Sequence, residues 1–222
     1  PSGISEALRP SRFDAVNYSA YGMAIRPSMN AYSWNELAHI ASLIEARATT
    51  RDEAIDLAKT FNLVTPDGTF TGGTKDITLT DGQTISVLLV DIFHDYTELE
   101  EPTAFTFMLA ENYTNQAMNV SGTNEGGWEL SDMRDWLNSE VMEKLPDSLY
   151  YSIKPVQKFT NNIGNTDNPE SVTPTTDLLF LFSWVECLGP LAWNEETDTA
   201  YIDAINNAEG YQYAWFTEQG VA

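Results

Sequence analysis

An α+β fold with a mostly antiparallel sheet is what the pattern of this chain calls for, on three grounds. Two capped amphipathic segments come first, a turn-punctuated stretch of alternating apolar residues follows, and aromatic side chains are frequent throughout. Ser33 and Glu36 form a capping-box pattern ahead of Leu37, Ile40, Ala41 and Ile44, which recur at helical spacing. Thr50 and Glu53 repeat that pattern ahead of Ala54, Leu57, Ala58 and Phe61. Turn residues then take over at Pro66-Asp67-Gly68, Gly72-Gly73 and Asp81-Gly82. Between them Ile77 and Leu79 alternate with polar neighbours in a first strand. Residues 85–93 are more continuously apolar and belong at the centre of the sheet, and Phe105, Phe107 and Leu109 alternate in a third strand. Residues 112–125 and 161–176, rich in Asn, Ser, Thr and Gly, read as exposed loops.

Residues 1–32 lack periodicity and carry Pro10, Gly22 and Pro27, so they read as an extended N-terminal arm ahead of a domain over residues 33–222. Phe13, Tyr18, Tyr21 and Met23 are its docking side chains, and Arg9, Arg12 and Arg26 outweigh Glu6 and Asp14. The body has the opposite charge. Beyond Lys158 it holds no Lys or Arg, while Asp167, Glu170, Asp177, Glu186, Asp203, Glu209 and Glu218 are among its acids. A basic arm and an acidic body attract each other, either within one chain or across a subunit boundary. The second alternative makes the segment an assembly arm, and the protein a homo-oligomer or a subunit of a larger particle.

Several later segments belong together. Residues 126–138 (GGWELSDMRDWLN) lead a loop into a short helix that Ser131 can cap, with Met133, Trp136 and Leu137 on one face. Leu145-Pro146 opens another short helix, with Pro146 near the first turn where a missing N–H costs nothing. Ile153-Lys154-Pro155-Val156 follows, and residues 177–186 (DLLFLFSWVE) form the apolar run expected of a strand buried on both faces. None of these segments carries an obvious reacting group. The series resembles a family of uncharacterised domains found in bacterial surface proteins and phage genes, similar to C-type-lectin-like domains. With Trp34, Asp81-Gly82 and His94-Asp95 the resemblance spans residues 33–216. It implies a lectin-like fold and a surface or phage setting. The family's usual closing Trp-Trp-Leu-Arg-Ser-like strand does not occur before Ala222, which implies a shortened or C-terminally incomplete domain.

Composition narrows the functions. The 222 residues, 42% of them hydrophobic, suffice for one good core, and the 12% aromatic content suits large interlocking side chains. A formal net charge of −22 argues against nucleic-acid partners, which need clustered Lys and Arg, and against adhesion to an anionic membrane. Cys187 is the only cysteine, so no intrachain disulfide forms, and its place beside an apolar run marks it as a small buried hydrophobe. No stretch has the length of a membrane-spanning helix and no signal peptide opens the chain. Pro1-Ser2 is what removal of an initiator methionine leaves, which favours assembly inside a host cell.

Candidate sites are few. Asp91, His94 and Asp95 form the best acid–base or metal group, the basis of a hydrolase alternative. On a regular strand, however, Asp91 and His94 point to opposite faces, and His94-Asp95 reads better as a strand end. Glu195, Glu196, Asp198 and Asp203 are weak oxygen ligands for calcium, without an EF-hand spacing. Trp128, Trp136 and Trp184 read as core, whereas Trp193, Tyr201, Tyr211, Tyr213 and Trp215 are the candidates for an exposed ligand-binding surface. No nucleophile elbow, P-loop or dinucleotide-binding glycine pattern is present, so no cofactor is expected. The expectation is therefore a non-enzymatic phage virion component on a capsid or tail, with other virion proteins, copies of itself, or a host-surface glycan or protein as partners. A bacterial cell-surface adhesin is the alternative.

Overall fold

The computed structural model describes residues 17–192 and 197–221. A short hairpin opens it, β1 (Asn17–Tyr18) with β2 (Ala24–Ile25), followed by the helices α1 (Trp34–Arg47) and α2 (Arg51–Thr60). A three-stranded sheet comes next: β3 (Thr74–Thr78), β4 (Thr84–Asp91) and β5 (Thr106–Leu109), with β4 central. Short helices α3 (Asp132–Trp136) and α4 (Asp147–Tyr150) lead to a second hairpin, β6 (Val156–Asn161) with β7 (Val172–Asp177). Helices α5 (Trp184–Leu188), α6 (Thr199–Ala208) and α7 (Ala214–Glu218) complete it. Every strand pair among the described residues is antiparallel, so the fold is α+β as expected. The strands form three separate small sheets rather than a single one. No helix among the described residues is long and apolar enough to cross a membrane.

The local signals act as their chemistry dictates. Ser33 and Glu36 make the reciprocal capping box at α1, and the Thr50 hydroxyl accepts from the Glu53 amide at α2. The Glu53 carboxylate reaches one residue further back than expected, to the amide and hydroxyl of Thr49. Leu37, Ile40 and Ile44 of α1 then meet Ala54, Ala58 and Phe61 in a first core, closed by Leu89, Ile92 and Phe93. A second core joins Ile77, Leu79 and Val87 to Met142, Leu145 and Leu149. Trp34 packs against both, edge-on to Phe107 at 5.7 Å.

The described part of the N-terminal segment packs onto its own chain. Met29 and Tyr32 are core residues, and Met23 and Ile25 pack against that core. Arg26 pairs with Glu36 at 2.7 Å and Tyr21 stays nearly half exposed. Tyr18 contributes backbone to β1, while Arg9, Arg12 and Phe13 lie outside the described residues. The core therefore begins before Ser33.

Two expectations about the C-terminal half are corrected. Residues 161–176 are not simply a loop: they contain the turn of the β6–β7 hairpin and most of β7, where Val172, Thr173, Thr175 and Thr176 have the β-branching that a strand favours. The apolar run 177–186 is not a strand. The Asn138 carboxamide accepts from the amides of Leu178 and Leu179 and donates to the carbonyl of Leu179, which takes that backbone away from any ladder. Ser183 and Glu186 then form a capping box that starts α5. Trp184 consequently turns outward and is 59% exposed, whereas Trp128 is buried and Trp136 stacks on Tyr113.

The Gly-Gly-Trp segment has a steric origin. Gly127 has φ +55° and lies against β6, so that a Cβ there would sit 2.0 Å from the carbonyl oxygen of Asn161. Gly82 also has positive φ but faces open space. Gly82→Ala should thus cost about 1 kcal/mol from backbone strain alone. Gly127→Ala should cost clearly more, because backbone must move. Chemical denaturation of both variants checks the ordering, and equal losses would show that this contact does not constrain the chain.

Candidate functional site

A dense group of polar side chains lies inside the protein, around a lysine. Lys158 sits in the middle of β6, and its ammonium donates to Asp95 Oδ1 at 2.8 Å, to Glu186 Oε1 and to the Tyr213 hydroxyl at 3.3 Å. The Phe180 ring lies 4.3 Å from the same nitrogen. Asp95 follows β4, Glu186 is in α5 and Tyr213 is the N-cap residue of α7, so one cation gathers four separate parts of the chain. Asp95 Oδ2 accepts from Thr106 Oγ1 at 2.5 Å and from the Tyr213 hydroxyl at 3.0 Å. Glu186 Oε2 accepts from the Ser183 amide, and the Glu186 carbonyl accepts from the Tyr213 amide. Asp95, Glu186 and Tyr213 are buried, the last two almost wholly, and the Lys158 side chain is only 11% exposed.

Burial and charge oppose each other here. Burial on its own would raise the Asp95 carboxyl, but the Lys158 ammonium and the neighbouring His94 outweigh it and hold the group well below the usual carboxylate range. Burial would lower the Lys158 amine, and Glu186 and Asp95 together hold it above its ordinary value. Burial, Glu186 and Asp95 push the Tyr213 hydroxyl far upward, so it remains an O–H donor.

His94 adjoins this cluster without completing a catalytic dyad. Its Nε2 lies 2.6 Å from the Tyr211 carbonyl oxygen, which only accepts, so that nitrogen carries the hydrogen. Its Nδ1, buried and without a hydrogen bond, faces Asp95 Oδ1 at 3.5 Å. His94, Asp95 and Glu186 bring ligand atoms within 4.8 Å of one another, a spacing a metal ion could use. The donor set does not fit one as it stands, because the Lys158 ammonium already lies between the two carboxylates. A divalent ion would have to expel a buried cation.

Asp91 stands apart from the pair it was expected to join. A register shift between Leu89 and Asp91 and the left-handed Phe93 (φ +56°) break the strand alternation, so Asp91, His94 and Asp95 are all buried. Asp91 accepts from Arg51 at 2.5 Å and, through its other oxygen, from the Ala214 amide at 2.9 Å. It ties α7 to α2.

The expected aromatic surface divides. Tyr213 is fully buried, which removes it from any exposed face, and Trp215 packs against the first core. The Tyr201 hydroxyl accepts from the Asn161 carboxamide, and Tyr211 is nearly half exposed beside His94. Trp193, Glu195 and Glu196 lie outside the described residues. Asp198 is the N-cap of α6, accepting from the Ala200 amide, and Asp203 is exposed on that helix. Cys187 is half-buried in α5, and burial pushes its thiol upward.

The exposed candidate is a groove between loops. Its first part, about 660 Å³, is lined by Leu130, Asp132, Arg134, Asn138 and Leu178 among others. A second part, lined by Asn119, Ser121, Thr123, Leu130, Asp132 and Ile163, shares Leu130 and Asp132 with it. Leu130, Val120, Ile163 and Met118 are exposed apolar side chains of these loops. The loops are well anchored: Asp132 accepts from the Val120 amide, and a Cβ on Gly164 would meet the Asn124 carbonyl at 1.7 Å. Beneath the groove, buried Asp177 accepts from Trp128 Nε1 at 3.0 Å and Arg134 Nε at 2.6 Å. The Ser131–Asn138 motif is thus a set of braces: Ser131 caps α3, Arg134 grips Asp177 and Asn138 holds residues 178–179.

Two outcomes follow for stability. Lys158→Met should cost about 3–5 kcal/mol, because it strands two buried carboxylates, and urea unfolding measures it. Glu209 carries a buried, unpartnered Oε2; burial raises its carboxyl, Ser183 opposes this, and Glu186 raises it further. An acid raised on folding favours the native state fully below its unfolded pKa, and that contribution is lost as pH rises through the folded pKa. Relative to wild type, Glu209→Gln should therefore gain melting temperature progressively as pH rises through and above the ordinary carboxylate range. A difference independent of pH would show that Glu209 is not held in this way.

The comparisons with known proteins come down to one family. No curated protein and no solved structure matches the chain. A family model described as a domain of unknown function (DUF6273) matches residues 103–220, just over half of the sequence and including Lys158, Glu186, Tyr213 and the groove motif. The chain belongs to this DUF6273 family.

Proposed function

We propose that the protein is a non-enzymatic binding and display domain with a C-type-lectin-like fold, carried on a phage virion and engaging a protein surface through the groove around Leu130. One contrast carries this reading. The charged groups that converge are buried and engaged with one another, while the exposed apolar side chains Leu130, Val120, Ile163 and Met118 gather on firmly anchored loops. A catalytic cluster needs access to substrate, whereas a contact surface needs apolar side chains at a fixed place. The groove has no aromatic platform among its lining residues, which favours a protein partner over a glycan. The lectin-like reading is supported by the helix pair, the antiparallel ladders and the long loop stretch 110–131, together with the motif resemblance. In this account the segment bearing Arg9, Arg12 and Phe13 joins the domain to neighbouring virion subunits or to copies of itself. Display on a bacterial cell surface would use the same groove.

Gradient-purified particles test the reading. The wild-type chain should co-sediment with virions at stoichiometric level, and Leu130→Asp with Ile163→Asp should weaken capture of the partner surface by more than about tenfold at unchanged melting temperature. Absence from the particles together with undiminished binding by the double variant would contradict it. Hydrolytic turnover that His94→Ala abolishes would replace it with the hydrolase alternative.

A further inference from the structure

We propose that Lys158 and Asp95 condense into an intramolecular isopeptide bond, with Glu186 as the proton carrier. The inference is independent of the binding role proposed above, and it concerns a single self-processing event rather than turnover of a substrate. Four features of the cluster carry it. The Lys158 nitrogen is in contact with Asp95 Oδ1 at 2.8 Å, held there by a strand and by the end of the central sheet. The other Asp95 oxygen, Oδ2, accepts from two hydroxyls, Thr106 at 2.5 Å and Tyr213 at 3.0 Å. Those donors stand where negative charge develops when an amine adds to the carboxyl carbon. Glu186 Oε1 touches both the ammonium and the Tyr213 hydroxyl, the latter at 3.1 Å, and so can exchange protons with the reacting pair. The walls are aromatic: Phe180 faces the nitrogen, and Phe182 packs on Tyr213 with centroids 4.5 Å apart.

The step needs nothing from outside. An ammonium and a carboxylate together contain the atoms of an amide and one water. One ammonium proton passes through Glu186 to Asp95 Oδ1, leaving a neutral amine beside a neutral carboxylic acid. Lys158 Nζ then bonds to Asp95 Cγ, while Thr106 and Tyr213 hold the charge on Oδ2. Glu186 takes a second proton from the nitrogen and delivers it to Oδ1. The Cγ–Oδ1 bond breaks and water leaves. One C–N bond replaces one C–O bond, nothing is oxidised or reduced, and Glu186 ends as it began.

Both driving terms are physical. Holding amine and carboxyl in contact turns a bimolecular condensation into an intramolecular one. Two buried charges disappear, and with them their desolvation cost. Asp95 and Glu186 keep the amine protonated at the start, so a proton must leave it before the nitrogen can add. Asp95 is the better acylated partner because two hydroxyls hold its Oδ2, against the single Ser183 amide on Glu186 Oε2. The product would brace the end of β4 to β6 across 63 residues of chain.

Intact mass spectrometry of the full chain, folded and then denatured, decides it. The expected mass is that of the sequence less one water, and fragmentation should return one branched peptide joining Asp95 to Lys158. Lys158→Arg should keep its full sequence mass. Asp95→Asn should expel ammonia instead of water and converge on the wild-type product mass, which no merely ionic contact would produce. Glu186→Gln should retain its full mass long after the wild type has condensed. A folded wild-type chain of full sequence mass, with Asp95 and Lys158 recovered on separate peptides, would overturn the proposal. Condensation of Glu186→Gln at the wild-type rate would overturn the role given to Glu186.

Discussion

The ammonium of Lys158 is the charge on which the C-terminal half of this protein closes. An unpaired cation at that depth would cost several kcal/mol, so the chain must bring it acceptors, and the acceptors come from three distant places. Asp95 arrives from the end of the central strand, Glu186 from α5 and Tyr213 from the start of α7. Glu186 serves three purposes at once: one carboxylate oxygen meets the lysine, the other closes the capping box, and its carbonyl accepts from the Tyr213 amide. Helix initiation, charge neutralisation and chain reversal are coupled in that single residue.

Two smaller ties extend the same logic. Asp91 links Arg51 of α2 to the Ala214 amide, and the Glu218 carboxylate accepts from the Phe70 amide at 2.7 Å. Helix α7 is thereby fastened to the N-terminal half at both ends. The stretch that matches the DUF6273 family begins at residue 103, yet Arg51, Phe70, Asp91 and Asp95 all precede it. The cooperative unit is larger than that stretch, and a fragment starting at residue 103 would leave Lys158 with one carboxylate. Above this frame, the asparagines 138, 161 and 162 fix the loops by side-chain bonds to backbone, and Asp177 holds Trp128 and Arg134, so the groove is set by side-chain ties that mostly span tens of residues.

Local chemistry was the part most legible in the sequence. The Ser33–Glu36 box, the Thr50 and Ser131 caps and the alternation of Ile77 and Leu79 all act through neighbours a few residues away and appear where their patterns placed them. The Glu53 carboxylate, by contrast, bonds Thr49 instead of closing a box on Thr50. The run 177–186 misled because periodicity reports apolar content and not hydrogen bonding. Asn138, some forty residues upstream, took the backbone that a strand would have used. The Lys158 cluster escaped notice for the same reason, since Asp95, Glu186 and Tyr213 are each separated from it by tens of residues. One signal was available: Lys158 is the last basic residue before a tract whose charged residues are all acidic, so carboxylates are at hand to pair with it. Tyr213, expected on a surface, is the residue whose burial most changes the functional reading.

The coupling of the C-terminal helices to the sheet through Lys158 is tested most directly by amide hydrogen exchange on the full chain, wild type against Lys158→Met. Protection should fall selectively at Tyr213, Ala214 and Gly189, whose amides bond to Glu186, Asp91 and Val185. It should persist at Ala48 and Ala54 in the helix pair. Unchanged protection at Tyr213 and Ala214, or an equal loss across both halves, would contradict the account.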